Sequence, residues 1–344
     1  MSSKIKFQVI EAGSTFLDPR MEFQRVVEHF QVRIDPLTGR TGHLSHFGAI
    51  KPQKPVLDVY ERPEVKGFCP FCPENRERFT PKFTEEIAPE GRLTRNRACL
   101  IPNLFPYDVR SAVMIMCDEH MVPINRLDES MLMDSFSLGI DFLKRIKSIE
   151  PSLPYHLMTW NYMPPSGGGL VHPHKQYFAT AFPGNQFMDE LRASEAFYSS
   201  NGEDYWSALV KEEQEINERY IDTIGTSHWL TPFVPHGMLG EILCIFPDIF
   251  SIMDFTEEAI SCLVPGLLKV FQYFDSQDIF SFNASLSFGD DRQKSFPSHF
   301  RIVPRTFLNL RDYAPDVNFF QVTLSEPVSV ILPEELCRDV RKYF

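Results

Sequence analysis

Two long amphipathic stretches, 128–149 and 256–274, sit among the same order of neighbours. In each half of the chain a short apolar run precedes the stretch and two follow it. These are 112–117, 155–161 and 176–182 in the first half, and 241–246, 280–288 and 299–303 in the second, which also has a run at 229–234. Leu132, Phe136, Ile140 and Leu143 recur at helical spacing, Asp128 supplies a cap, and Pro151 and Pro154 stop the turn. The short runs read as strands. Laid side by side, the halves bring Asn161 near Asn283 and His174 near His299. A helix with one apolar stripe must bury it, and a sheet is the partner each half offers. The order therefore predicts an α+β fold of two similar units, residues 1–224 and 225–344, each an antiparallel sheet with a long helix packed across it. Residues 1–60 read as short strand pieces around a turn at 35–39, and 51–63 as an extended connection. Polar helices are expected at 186–200 and 203–222, and a closing helix at 333–344.

Composition narrows the function. The 344 residues are 43% hydrophobic and 23% charged, ordinary for a globular protein, and the 31 Phe point to thick packing of sheets against helices. Against 46 acidic residues stand 34 basic ones, a net charge of −12, which argues against nucleic acid or an anionic membrane as partner. A small anion still fits a locally positive site. No apolar run reaches the roughly 18 residues that span a bilayer, and the polar start lacks the apolar core of a secretory signal. Seven Cys, dispersed except for Cys69 and Cys72, suit free thiols and one metal-binding pair in a cytoplasmic protein.

The densest chemical signal runs from Asn161 to Gln176. Gly167, Gly168 and Gly169 let the backbone approach a bulky anion and turn its N–H groups inward. His172-Pro173-His174-Lys175-Gln176 follows, and alternation in an extended segment puts His172, His174 and Gln176 on one face. A neutral imidazole attacks phosphorus without a separate base, and the Gln176 amide with the glycine N–H groups would stabilise the phosphoryl oxygens. The bland alternative is two His in an ordinary turn; the combination with Asn161, the glycines and Gln176 outweighs it. By the same alternation Lys175 points to the opposite face, read as solvent. The pair Cys69-Pro70-Phe71-Cys72 offers two thiolates to a tetrahedral ion, or a redox dithiol, or two unlinked buried thiols. The strand-then-helix setting of thioredoxin-like motifs is missing around it, which disfavours redox chemistry.

Residues 161–176 resemble the signature of galactose-1-phosphate uridylyltransferases and related nucleotide phosphorylases of the histidine-triad superfamily, whose members carry two histidine-triad-like units. Residues 35–39, 300–305 and 333–335 match further segments of that family. The resemblance implies that His174 becomes nucleotidylated and that Gln176 contacts the transferred phosphoryl group. It adds His120 and His172 to Cys69 and Cys72 as ligands of a structural Zn2+, with no organic cofactor, and it implies a homodimer. Two departures stand out. Glu190 and His299 match ligands of a second metal found in some members, but Pro297 replaces another and the region near Phe282 offers no third. No second metal is expected, and Glu190 reads as a solvated helix residue. The early turn also lacks the family's Arg-rich follow-up, leaving Arg33, Arg40 and Lys51 as candidate anion contacts. His228 and His236 read as surface or capping residues.

The expected reaction is transfer of a nucleoside monophosphate between a nucleotide sugar, or another nucleoside polyphosphate, and a sugar 1-phosphate, in the manner of a uridylyltransferase. The alternatives are a phosphorylase of an ADP-sugar or dinucleoside polyphosphate with phosphate as acceptor, a histidine-triad hydrolase, or a non-catalytic nucleotide-binding protein.

Overall fold

The computed structural model describes residues 4–45, 52–53, 56–290, 293–309 and 314–344. In chain order the main strands are β1 (Gln8–Asp18), β2 (Gln24–Ile34), β3 (Thr41–Leu44), β4 (Leu93–Arg95), β5 (Ala98–Pro102), β6 (Arg110–Ile115), β7 (Tyr155–Tyr162) and β8 (His174–Thr180). They continue as β9 (Tyr220–Ile224), β10 (Ser227–Leu230), β11 (Ile242–Ile245), β12 (Ser281–Phe288) and β13 (His299–Arg305). The helices are α1 (Pro63–Lys66), α2 (Pro73–Phe79), α3 (Glu129–Ile149), α4 (Asn185–Asn201), α5 (Tyr205–Ile216), α6 (Glu257–Ser276), α7 (Phe319–Thr323) and α8 (Pro333–Val340). Among the described residues no helix is long and apolar enough to cross a membrane.

Ten strands form one sheet in the order β4-β5-β6-β8-β7-β12-β13-β11-β10-β9. Outward from the seam between β7 and β12, the two halves follow the same sequence of strands. The seam is an antiparallel ladder running from Phe282 opposite Tyr162 to Phe288 opposite His156, with Asn161 facing Asn283. This is an α+β architecture of two similar halves that share one ten-stranded sheet, with a long helix packed across each half. The turn between β9 and β10 holds position 224/225, so β9 completes the outer edge of the second half's strands.

Strict alternation makes the sheet two-faced. In β7, β8, β12 and β13 buried residues alternate with half-buried ones, apart from an extra buried residue at one end of β8, β12 and β13. Met158, Trp160, Tyr177, Phe282, Leu286, Phe300 and Ile302 join the main core with the apolar faces of α3 and α6. Asp128 caps α3 by accepting the Met131 N–H. Both long helices carry a glycine where an aromatic ring of the sheet comes close. An added Cβ would lie 2.0 Å from Tyr177 at Gly139 and 2.2 Å from Trp229 at Gly266.

Several boundaries differ from the sequence reading, for local reasons. The helix expected over 203–222 ends at Ile216, where Asn217 takes the left-handed conformation and returns its N–H to Glu213, and the remainder becomes β9. The short pieces expected in residues 1–60 are instead an 11-residue by 11-residue hairpin, β1 with β2. It is largely exposed, so its sequence lacks the alternation that marks a half-buried strand. Lys175 does lie on the face opposite His174, but that face is the core, not solvent: its side chain is fully buried against α3. Lys51 lies outside the described residues.

Candidate active site

The face of the sheet away from α3 and α6 carries two apolar patches with a polar trough between them. At one end Cys69, Phe71, Cys72, Cys99, Ile101, Val113 and Ile115 pack together. At the other, α4 and α5 contribute Leu191, Trp206 and Leu209 against Leu230, Leu243 and Ile245. Between them most half-buried positions of four strands are polar: His174 and Gln176 on β8, Thr159 and Asn161 on β7, Asn283 and Ser285 on β12, and Arg301 and Arg305 on β13, with Val303 between the two arginines. Thr159 stands opposite Gln176 and Ser285 opposite Thr159, so the halves meet in the middle of the trough.

His174 opens β8. Its Nδ1 lies 2.7 Å from the carbonyl of His172 and donates its proton there, because a carbonyl can only accept. That bond fixes the tautomer and leaves the Nε2 lone pair unprotonated. Burial pushes the His174 imidazole below its ordinary value, while the bond to His172 opposes the shift. The ring edge meets Phe71 of the Cys loop, 5.4 Å between centroids. Sequence reasoning missed this packing of Phe71, which lies between the two Cys.

The glycine turn follows β7 and a 3-10 turn at Pro164–Ser166. Gly167 has φ +85°, a conformation that favours glycine, and nothing lies near a Cβ built at Gly167 or Gly169. A Cβ built at Gly168 would lie 3.3 Å from the Asn161 carbonyl oxygen. Asn161 accepts a hydrogen bond from Asn283 Nδ2 at 2.7 Å.

Cys69, Cys72, His120 and His172 converge, with their donor atoms all within 4.8 Å of one another. The Nδ1 of His120 lies 3.3 Å from Cys72 Sγ, and that of His172 lies 3.6 and 3.7 Å from Cys69 and Cys72 Sγ. A tetrahedral ion with Zn–S of about 2.3 Å and Zn–N of about 2.0 Å needs donor separations of roughly 3.3–3.8 Å, and these three lie in that range. Each His directs Nδ1 inward and anchors Nε2 on a backbone carbonyl, His172 on Cys117 at 2.9 Å and His120 on Tyr60 at 3.1 Å. Burial holds the His172 imidazole down at about 4, the neutral form a ligand requires. This buried cluster can bind a metal such as zinc.

Other expected residues have different surroundings. Arg33 is buried and engaged by Glu334 at 2.8 and 3.0 Å and by Gln31 at 3.1 Å. Arg40 pairs with Asp189. Glu190 is not solvated, as the sequence suggested. It is only 7% exposed and pairs with Arg301 at 3.0 Å. Burial alone would raise its carboxyl, but the Arg301 guanidinium, with His299 and His236, holds it well below the usual carboxylate range. Arg301 also pairs with fully buried Glu241, whose other oxygen takes His236 at 2.7 Å. Glu190, His236 and Arg301, with Asp35, Gln186 and Trp206, edge a cavity of about 500 Å³ that does not include His174 among its walls. The only sequence signal for Arg301 was its odd-numbered place on a strand with His299.

No family model matches the chain. An uncharacterised protein of Archaeoglobus fulgidus is 28% identical over 338 residues, 97% of each chain. Among solved structures, an ADP-glucose phosphorylase from Arabidopsis thaliana with bound ADP-glucose superposes with a TM-score of 0.67 at 18% identity, over 90% of this chain and 98% of that one. A GalT-like protein from Arabidopsis thaliana gives 0.66 at 18% identity over the same shares. A mutant uridylyltransferase gives 0.65, also at 18%, over 91% of this chain and 97% of its own. Over some nine-tenths of its length, this chain has the fold shared by the GalT-like protein and the uridylyltransferase.

Proposed function

We propose that this protein is a nucleotidyltransferase that carries a nucleoside monophosphate on His174. The supporting observation is the 2.7 Å bond from His174 Nδ1 to the His172 carbonyl just ahead of β8, which leaves a neutral Nε2 lone pair in a polar trough beside Gln176 and the glycine turn. Nε2 attacks the α-phosphorus of a nucleoside diphosphate sugar. A P–N bond forms while the P–O bond to the sugar 1-phosphate breaks, and the leaving oxygen keeps the electron pair. A second sugar 1-phosphate then attacks the same phosphorus and returns the imidazole. The Gln176 carboxamide, the Asn161 amide and the N–H groups of Gly167, Gly168 and Gly169 balance charge on the phosphoryl oxygens. Inorganic phosphate as second acceptor would make the protein a phosphorylase. The likeness to an ADP-glucose phosphorylase and the engagement of Arg33 and Arg40 in ion pairs support that second reading.

The Cys69, Cys72, His120 and His172 ion is proposed as a structural Zn2+. With four protein ligands it leaves no position for water, and when bound it cross-links the Cys loop to the segment entering β8. We also propose the division into units 1–224 and 225–344, with β9 at the end of the first unit pairing across to β10 of the second, and a homodimer. Phe16, Leu17, Met21 and Phe23 at the exposed end of the β1–β2 hairpin support a second copy as partner.

Intact-mass measurement after incubation with UDP-glucose, UDP-galactose or ADP-glucose tests the reading. The expected result is a gain of one nucleoside monophosphate, mapped to the His174 peptide and lost in His174→Gly. Discharge of the adduct by glucose 1-phosphate or by phosphate separates the two acceptors. No adduct from any of the three donors overturns the proposal.

A further inference from the structure

Past the seam, the trough continues into a chain of side chains that the reaction at His174 leaves unused. Asp316, 1% exposed, holds Arg305 through Nε at 2.9 and 3.1 Å and through Nη2 at 2.7 Å. Arg305 Nη1 donates to Asn283 Oδ1 at 2.6 Å. Asn283 Nδ2 in turn donates to Asn161 Oδ1 at 2.7 Å and to the Ser166 carbonyl at 2.9 Å.

The direction of this chain follows from what each group can give. A guanidinium only donates, so Asn283 must meet it with oxygen. The Ser166 carbonyl only accepts, so Asn283 must meet it with nitrogen. These two constraints, from opposite ends of one carboxamide, agree. Asn161 therefore accepts with its oxygen, and its NH2 group has no hydrogen-bond partner among the described residues. That group lies on the polar face, on the strand paired with β8. An unconstrained carboxamide can turn either end outward, and the wrong end presents oxygen to an anion.

We infer that Asp316, Arg305 and Asn283 are positioning residues that lock the Asn161 carboxamide with its N–H donors toward the phosphoryl oxygens of a nucleotide at His174. The inference rests on the phosphoryl-transfer reading of His174. It gives the second half of the chain a part in chemistry performed by the first, through residues that make no contact with substrate themselves.

The decisive variant is Asn283→Asp, which keeps size and shape but has no N–H to give. Asn161 then turns its nitrogen to the new carboxylate and its oxygen to the substrate. Two readouts are needed: calorimetric affinity for inorganic pyrophosphate, and the single-turnover rate of His174 adduct formation from UDP-glucose, UDP-galactose or ADP-glucose. Asn283→Asp is expected to lower both by about tenfold or more, with the melting temperature unchanged. Asn161→Ala should do the same, and Asn283→Asp should add nothing in the Asn161→Ala background. Arg305→Lys, still a donor to Asn283, should recover most of what Arg305→Met loses. Additive losses, or losses that track melting temperature, overturn the inference. If the wild type forms no adduct, the transfer reading fails, while pyrophosphate still reads the chain. A wild-type advantage with the same non-additivity supports it, and equal or undetectable binding overturns it.

Discussion

Lys175 Nζ lies 3.3 Å from the centroid of the Phe136 ring and donates to Ser135 Oγ at 2.8 Å, inside the core between β8 and α3. The ring favours a cation by about 2 kcal/mol at most, less than the several kcal/mol that desolvating the charge costs. Burial accordingly holds the amine well below its ordinary 10.5. The unfolded chain then binds a proton that the folded one does not, so this residue's contribution is lost as pH falls and recovered as pH rises toward 10.5. Lys175→Met should stabilise the protein by about 1–3 kcal/mol at pH 7 and flatten the rise of stability with pH. Urea unfolding of both proteins at pH 7 and 9 measures the difference.

Glu213 gives the opposite slope. Its side chain is fully buried, and burial pushes its carboxyl up to about 7 despite Arg219 at 2.9 Å. A raised carboxyl keeps its proton in the folded state, so its contribution is complete below about 4.5 and is lost as pH rises through 7. Glu213→Gln should remove that decline. Denaturant midpoints for the two proteins between pH 5 and 8 should converge at the acid end and separate at the neutral end, with the variant the more stable.

The glycines of the two long helices are spatial necessities. Alanine would raise helix propensity by about 1 kcal/mol, yet its methyl at Gly139 would overlap the Tyr177 ring and at Gly266 the Trp229 ring. Gly139→Ala and Gly266→Ala should each cost a net 1–3 kcal/mol or so, read as a lower melting temperature.

Metal and nucleophile should separate cleanly. Cys69→Ser removes one of four converging donors, and it should lower both zinc content and melting temperature, as should a strong chelator. His174→Gly should keep zinc near one ion per chain. Elemental analysis with a thermal melt checks both, and unchanged metal in Cys69→Ser would dissociate the cluster from zinc binding.

What was legible in the sequence follows burial. The strands and helices around the core declared themselves because one face is apolar, and Asp128 marked the start of α3. The Cys and His that converge were readable only through a family likeness, since His120 is 48 residues from Cys72. Glu190 was misjudged because its helix carries a polar pattern, and the partner that buries it, Arg301, is 111 residues away. Lys175 was misjudged because alternation gives the face of a side chain but not what covers that face. The β1–β2 hairpin left no pattern because little of it is buried.

The join at β7 and β12 is a ladder of main-chain hydrogen bonds, not a hinge. A half-length chain made alone would therefore end in an open strand edge, seven residues long on the β12 side, with its backbone groups unanswered. Such a fragment has a ready substitute in another copy of itself, and a chain that carries both halves avoids that fate by keeping the proper mate on the same polypeptide.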